Sequence, residues 1–170
     1  MNFNQKACKV SVLGAGSWGI ALSMVLESNG HEVTLWEFRP DAAERLSKTR
    51  DAKEFLPGIS IPAEIRIENN LGRAVFNKDF FVFAVPSHVL RHVATLVNKL
   101  NCGRKPLVVN VAKGIENDTL LRMSQVLEQT IDWLALKNIV TLSGPSHAEE
   151  VSRKIPTAIV AACKIGRAHV

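Results

Sequence analysis

Cysteine is scarce in this chain, and the little there is does not pair. The 170 residues include Cys8, Cys102 and Cys163, far apart and without C-x-x-C spacing. That excludes a disulfide framework and a C-x-x-C redox or zinc motif, and points to reduced thiols in a cytoplasmic protein. The five histidines do not cluster either. His88 and His92 stand at the i, i+4 spacing that metal sites use, but no carboxylate or cysteine is near them in sequence. They read as a surface or helix-packing pair, and no metal is expected. Long apolar runs are absent: the longest, Phe80–Pro86, is far too short to cross a bilayer, so no membrane insertion is expected. The first strand begins within ten residues of Met1, so no signal peptide is expected. Lysine and arginine outnumber the acids by 21 to 16, yet they are scattered, with no basic run of five or more and no interleaved aromatics. Nucleic acid is therefore not the expected partner. A net charge of +5 suits a small ligand carrying phosphates. No internal repeat, low-complexity tract or interdomain linker is visible.

What is present is apolar residues, 46% of the chain, enough for one domain with a proper core. Strand-like runs at Cys8–Leu13, Glu32–Trp36, Phe80–Val85, Leu107–Ala112 and Asn138–Leu142 alternate with helix candidates at Trp18–Ser28, Asp41–Arg50, Ser87–Leu100 and Thr119–Leu136. Runs that are continuously apolar are buried on both faces, so the sheet is mostly parallel with helices on each side: a doubly wound α/β domain. The Phe55-Leu-Pro-Gly-Ile-Ser-Ile-Pro segment interrupts the alternation as a structured loop leading into, at best, a short strand at Glu64–Ile67. Pro156–Cys163 reads as a last strand.

The most informative stretch is Gly14-Ala15-Gly16-Ser17-Trp18-Gly19, set between the first strand and an amphipathic helix that Asn29-Gly30 closes. In that context the glycines have separate tasks. Gly14 makes the tight turn, Gly16 lets a pyrophosphate approach the backbone, and Gly19 lets helix pack closely on strand. The phosphates sit at the helix N-terminus, where free N–H groups and the dipole favour an anion. The domain is thus expected to be Rossmann-like and to bind a dinucleotide outside the carboxyl ends of its strands.

Four further strand ends point polar groups at that edge. Glu37 can accept from a ribose 2′-hydroxyl, favouring NAD; Arg39 can pair a 2′-phosphate, favouring NADP; Phe38 can lie against adenine. Their adjacency leaves the choice open. Pro86 turns the chain out of the next strand, with Ser87 as a helix N-cap, and the turn borders the nicotinamide side. Lys113, followed by Gly114, places an ammonium where it can neutralise charge or polarise a carbonyl. Ser143-Gly144-Pro145-Ser146 makes the next turn, with Glu149 and Glu150 in the first turn of a helix.

In the order in which they occur, Gly14-Ala-Gly-Ser-Trp-Gly19, Asn29-Gly-His-Glu-Val-Thr-Leu-Trp36, Phe55-Leu-Pro-Gly58, Val85-Pro-Ser87, Ala112-Lys-Gly-Ile-Glu116, Ser143-Gly-Pro-Ser146 with Ala148 and Glu150, and Pro156-Thr-Ala158 resemble bacterial NAD(P)-dependent glycerol-3-phosphate dehydrogenases. The resemblance implies hydride transfer between NAD(P)H and dihydroxyacetone phosphate to give sn-glycerol 3-phosphate for phospholipid synthesis. It assigns the cofactor phosphates to Ser17 and Trp18 and the adenosine end to Phe38 or Arg39. Lys113 would touch both cofactor and substrate, Gly144 and Ser146 the substrate, and Ala148 the cofactor. His147 receives no role.

It also implies a second, helical domain carrying the acid/base lysine and the substrate-phosphate groups. Residues 1–164 then read as a dinucleotide-binding domain without that partner, a fragment expected to bind cofactor weakly and to turn over little, with no catalytic residue of its own. A homodimer is a property the full-length protein would carry. Residues 165–170 fit no pattern and match one frame of a common sequencing-adapter DNA, so a non-native tail is expected. Two other readings share the glycine loop: a related hydroxy-acid or hydroxyacyl dehydrogenase, which fits the Lys113 and Ser143 turns less well, and a free-standing dinucleotide-sensing domain.

Overall fold

Strands that are apolar on both sides must be covered on both sides, and the chain meets that demand by winding helices over each face of one sheet. The computed structural model describes residues 6–164; the tail read at 165–170 lies outside them. In order, the elements are β1 (Lys9–Leu13), α1 (Ser17–Ser28), β2 (Glu32–Trp36), α2 (Pro40–Thr49), β3 (Arg66–Glu68), α3 (Leu71–Val75), β4 (Phe80–Phe83), α4 (Ser87–Asn98), β5 (Leu107–Asn110), α5 (Met123–Thr130), a 3-10 turn (Leu136–Asn138), β6 (Ile139–Ser143), α6 (Ala148–Ser152) and β7 (Val160–Cys163).

The sheet order is β3-β2-β1-β4-β5-β6-β7, parallel except for β7, which runs antiparallel to β6. The chain builds outward from β1 through β2 to β3, then crosses back to β4 and builds the other way, so the reversal falls between β1 and β4. Register fixes what meets there. Leu13 pairs with Trp36 on one side and Phe83 on the other, Phe83 with Asn110, and Asn110 with Thr141. One row of residues therefore crosses five strands at a common level and closes four of them, β1, β2, β4 and β5, so the loops that follow open at the same edge. Backbone bonds continue the row by one step: Gly14 N–H to the Trp36 carbonyl (3.1 Å), Ala84 to Leu13 (2.9 Å) and Val111 to Phe83 (3.2 Å).

The core lies in two layers. One packs Phe81, Phe83, Leu90, Val97, Leu127 and Ile131 beneath α3, α4 and α5. The other packs Val12, Ile20, Leu35 and Leu46 beneath α1 and α2, together with Leu56, Ile61 and Ile65 of the proline-containing loop. That loop is compact. Arg50, left-handed at φ 57°, ends α2 and donates to the carbonyls of Pro62 and Ile65.

Two expectations need correction, and one short helix lies outside every expected element. The helix expected over Thr119–Leu136 is only Met123–Thr130. Leu120 is left-handed at φ 56°, and Ile131 turns extended to bury its side chain in the core, so both ends of the run are pulled out of helix. Helix α3 was not foreseen; it is a single short stretch capped by Asn70, whose side chain accepts from the Arg73 N–H. Ser87 is the first residue of α4 rather than its N-cap, a position held by Pro86.

Phe81 is fully buried in the larger layer. Replacing it with alanine is expected to remove about 3–5 kcal/mol of stability, read as a lower urea midpoint at unchanged slope. A loss below about 1 kcal/mol would mean that this layer is not the packed core described.

Candidate functional site

The carboxyl edge holds a cleft of about 780 Å³ lined by the glycine loop, the end of β2, the turn after β4, the segment after β5 and the start of α6. Each glycine of the loop can be judged by what a methyl group would meet. At Gly14 the backbone is at φ +115° and a Cβ would sit 2.8 Å from the Ala84 carbonyl oxygen, so the turn needs glycine for two reasons. At Gly19 a Cβ would run into the Gly14 carbonyl oxygen. Gly16 differs: its backbone is ordinary (φ −75°, ψ 179°), and a Cβ there would meet nothing within 4 Å. The fold makes no demand for glycine at 16; a ligand lying against the backbone would. Gly16 is also the N-cap of α1, where no side chain caps the helix. The first N–H groups of a helix have no intrahelical partner, so those of Ser17 and Trp18 are left for an anion. The donor set fits a diphosphate.

At the end of β2, the Trp36 indole donates to the Asn69 carbonyl (2.9 Å), and the Asn69 amide donates to the carbonyls of Glu37 and Phe38 (3.0 and 2.9 Å). These bonds hold Phe38 edge-on to Trp36, ring centroids 6.2 Å apart, with Phe38 otherwise exposed. The two residues that left the cofactor choice open are bonded to each other. The Glu37 Oε1 accepts from the Arg39 backbone N–H (3.0 Å) and from its Nε (3.2 Å). The Glu37 side chain is 9% exposed and that of Arg39 50%. The carboxylate raises the Arg39 pKa, by hydrogen bond first and by charge second.

Lys113 spans two turns. Its Nζ donates to the carbonyls of Gly144 and Ser146, both at 3.3 Å, which ties the segment after β5 to the turn after β6. Three residues on, Glu116 is gripped by Arg91 of α4 through two bonds of 2.7 Å, Nε to Oε1 and Nη2 to Oε2, and also accepts from the Thr119 hydroxyl at 2.5 Å. Those bonds hold the Glu116 carboxyl down at about 2, the Arg91 contact being the largest cause.

The cleft brings together Gly14, Gly16, Ser17, Trp18, Glu37, Phe38, Pro86, Lys113, Ser146 and Ala148. Gly19, Arg39 and Gly144 stand behind it: Gly19 under the loop, Arg39 on Glu37, and Gly144 packed so that a Cβ would lie 2.6 Å from the Ala158 carbonyl oxygen. Sequence reasoning missed Phe55, Val89, His92 and Leu96, which also line the cleft. The i, i+4 histidine spacing was a signal of a helix face but not of what that face looks onto. No helix among the described residues is long and apolar enough to cross a membrane.

The family model described as NAD-dependent glycerol-3-phosphate dehydrogenase N-terminus matches residues 9–168. Among curated relatives, the glycerol-3-phosphate dehydrogenase [NAD(P)+] of Fusobacterium nucleatum is 46% identical over 154 residues, covering 89% of this chain and 45% of that protein. The protein of the same name from Pelotomaculum thermopropionicum is 44% identical over 154 residues, covering 91% of this chain and 44% of that one. The crystal structure of glycerol-3-phosphate dehydrogenase from Coxiella burnetii superimposes with a TM-score of 0.83 at 25% identity, over 93% of this chain and 47% of that one. The chain thus spans about half the length of the relatives it matches.

The Arg91–Glu116 pair generates a pH prediction. A carboxyl whose folded pKa lies near 2, below its ordinary 4.5, adds stability that is present above 4.5 and is lost as pH falls toward 2. Arg91→Met should therefore melt lower than the wild type at neutral pH, and the gap should close over that acid window. A gap of constant size at every pH would show that the pair contributes nothing through charge.

Proposed function

The chain belongs to the family of NAD-dependent glycerol-3-phosphate dehydrogenase N-termini, and from that premise we propose that it is the cofactor-binding half of a cytoplasmic oxidoreductase. The reaction is the interconversion of dihydroxyacetone phosphate and sn-glycerol 3-phosphate with NAD(P)H, feeding glycerophospholipid synthesis. The observation that carries the reading is Gly16, a glycine that the fold does not need and a bound diphosphate does.

When bound, a reduced nicotinamide supplies the hydride for the substrate carbonyl carbon. The chain's own residues bind and orient. The Ser17 and Trp18 N–H groups, at the positive end of α1, take the diphosphate. Glu37 and Phe38 are assigned the adenosine end, Pro86 the nicotinamide side and Ala148 the cofactor, and all four line the cleft. The Lys113 ammonium, held by two carbonyls, keeps a third N–H for a phosphate or carbonyl oxygen. Ser146, beside it, lines the substrate side together with the Gly144 turn. Lys113 is not assigned as the proton donor; the resemblance puts that lysine in the half of the relatives that this chain does not span.

The Glu37–Arg39 pair supports acceptance of both cofactors, with NADH the easier. NADH leaves the pair intact and meets a buried acceptor, whereas NADPH needs Arg39 to leave Glu37 for the 2′-phosphate, and the carboxylate stays nearby to repel it.

Titration of this chain with NADH, followed by the fluorescence of Trp18 and Trp36, should show saturable quenching. Gly16→Val should abolish it while leaving the melting temperature close to that of the wild type, because the added atoms begin in open space. A folded chain that quenches with neither NADH nor NADPH would overturn the reading. Glu37→Gln should shift the ratio of affinities toward NADPH by about tenfold, the worth of roughly 1.4 kcal/mol. An unchanged ratio would remove the pair from cofactor selection.

A further inference from the structure

We propose that Arg91 and Glu116 are positioning residues that fix the Lys113 ammonium at the dinucleotide cleft. The proposal rests on the role given to Lys113 above. Lys113 follows β5 by three residues and is itself followed by Gly114 at φ +109°, a residue that adds no stiffness of its own. Left to that backbone, the ammonium would sweep a wide arc. A grip on helix α4 prevents it. A Cβ on Gly114 would lie 3.5 Å from the Ser87 Oγ, so the chain passes the first turn of α4 with space for a methyl group between them. Two residues later, Glu116 is clamped by Arg91, one helical turn further along the same face of α4.

The clamp has a stiff geometry. A guanidinium fork on a carboxylate fixes orientation as well as distance. Arg91 is braced in turn by the Thr130 hydroxyl (3.3 Å) and the Gln129 side chain (3.4 Å) of α5. The loop beyond Glu116 closes on itself through Glu116 N–H to the Leu121 carbonyl and Leu120 N–H to the Glu116 carbonyl, each 2.9 Å. The backbone of Lys113 is thus set from α4, and its tip is set from the turn after β6. Helix α4 also starts at the Pro86 turn, which borders the same cleft. The ion pair therefore fixes the lysine relative to the wall that a cofactor would touch.

The test reads Lys113 directly and needs no ligand. Each lysine of the intact chain is acetylated under limiting reagent and quantified by mass spectrometry, in the wild type, Arg91→Met and Glu116→Gln. Freed from its carbonyls, Lys113 should label about threefold faster in both variants while Lys9 and Lys78 keep their rates; coupled groups deviate from independence by such factors. A Lys113 rate equal to the wild type in folded variants overturns the proposal. If every lysine accelerates, the fold has been lost, and Arg91→Lys, which keeps the charge without the fork, takes the place of Arg91→Met under the same criterion.

NADH titration then separates this proposal from the reading it rests on. Glu116→Gln should weaken NADH about fivefold with Lys113 present and less than about twofold in a Lys113→Met background. Faster Lys113 labelling with no effect of Lys113→Met on NADH would uphold the positioning and remove Lys113 from the cofactor site. Equal losses in both backgrounds would overturn the claim that the pair acts through Lys113.

Discussion

Helix α1 approaches the end of β1 so closely that no methyl group fits between Gly19 and the Gly14 carbonyl. That contact, together with the left-handed turn at Gly14, aims the open end of the helix at the reversal point of the sheet. The rest of the cleft is arranged around it. Because β1 is central, flanked by β2 and β4, the helix terminus that it launches is flanked by the two turns that follow them. A site for a diphosphate then arises from backbone geometry before any side chain takes part.

The turns after β2, β5 and β6 are held by polar bonds as well as by packing. Asn69 ties down the end of β2, Lys113 joins the segments after β5 and β6, and Arg91 fastens the same loop to α4. Each bond joins elements far apart in sequence, so the edge behaves as one connected frame. Loops of this kind are ordinarily the variable part of a domain; here their positions relative to one another are set by a few charged and amide side chains. Two of the cations at the edge, Arg39 and Arg91, are matched to carboxylates, while Lys113 is bound only to neutral carbonyls. It is therefore the one of the three whose charge is left uncompensated by its hydrogen-bond partners and available to a phosphate.

The sequence by itself determined the class of fold, the order of the main strands and helices, and the loop that faces the ligand. Those follow from local rules: continuously apolar runs need burial on both faces, and a glycine triplet between strand and helix has few other uses. Tertiary structure decided the rest. Helix α5 is shorter than its pattern because Ile131 is drawn into the core, and Leu120 is turned out of helix by a loop closed at Glu116. The sharing of Glu37 with Arg39, the contribution of Phe55 and His92 to the cleft, and the clamp behind Lys113 join residues whose meeting depends on register and helix rotation. A periodic pattern states that a face is buried or exposed; only the packed sheet states which residue of another element it meets.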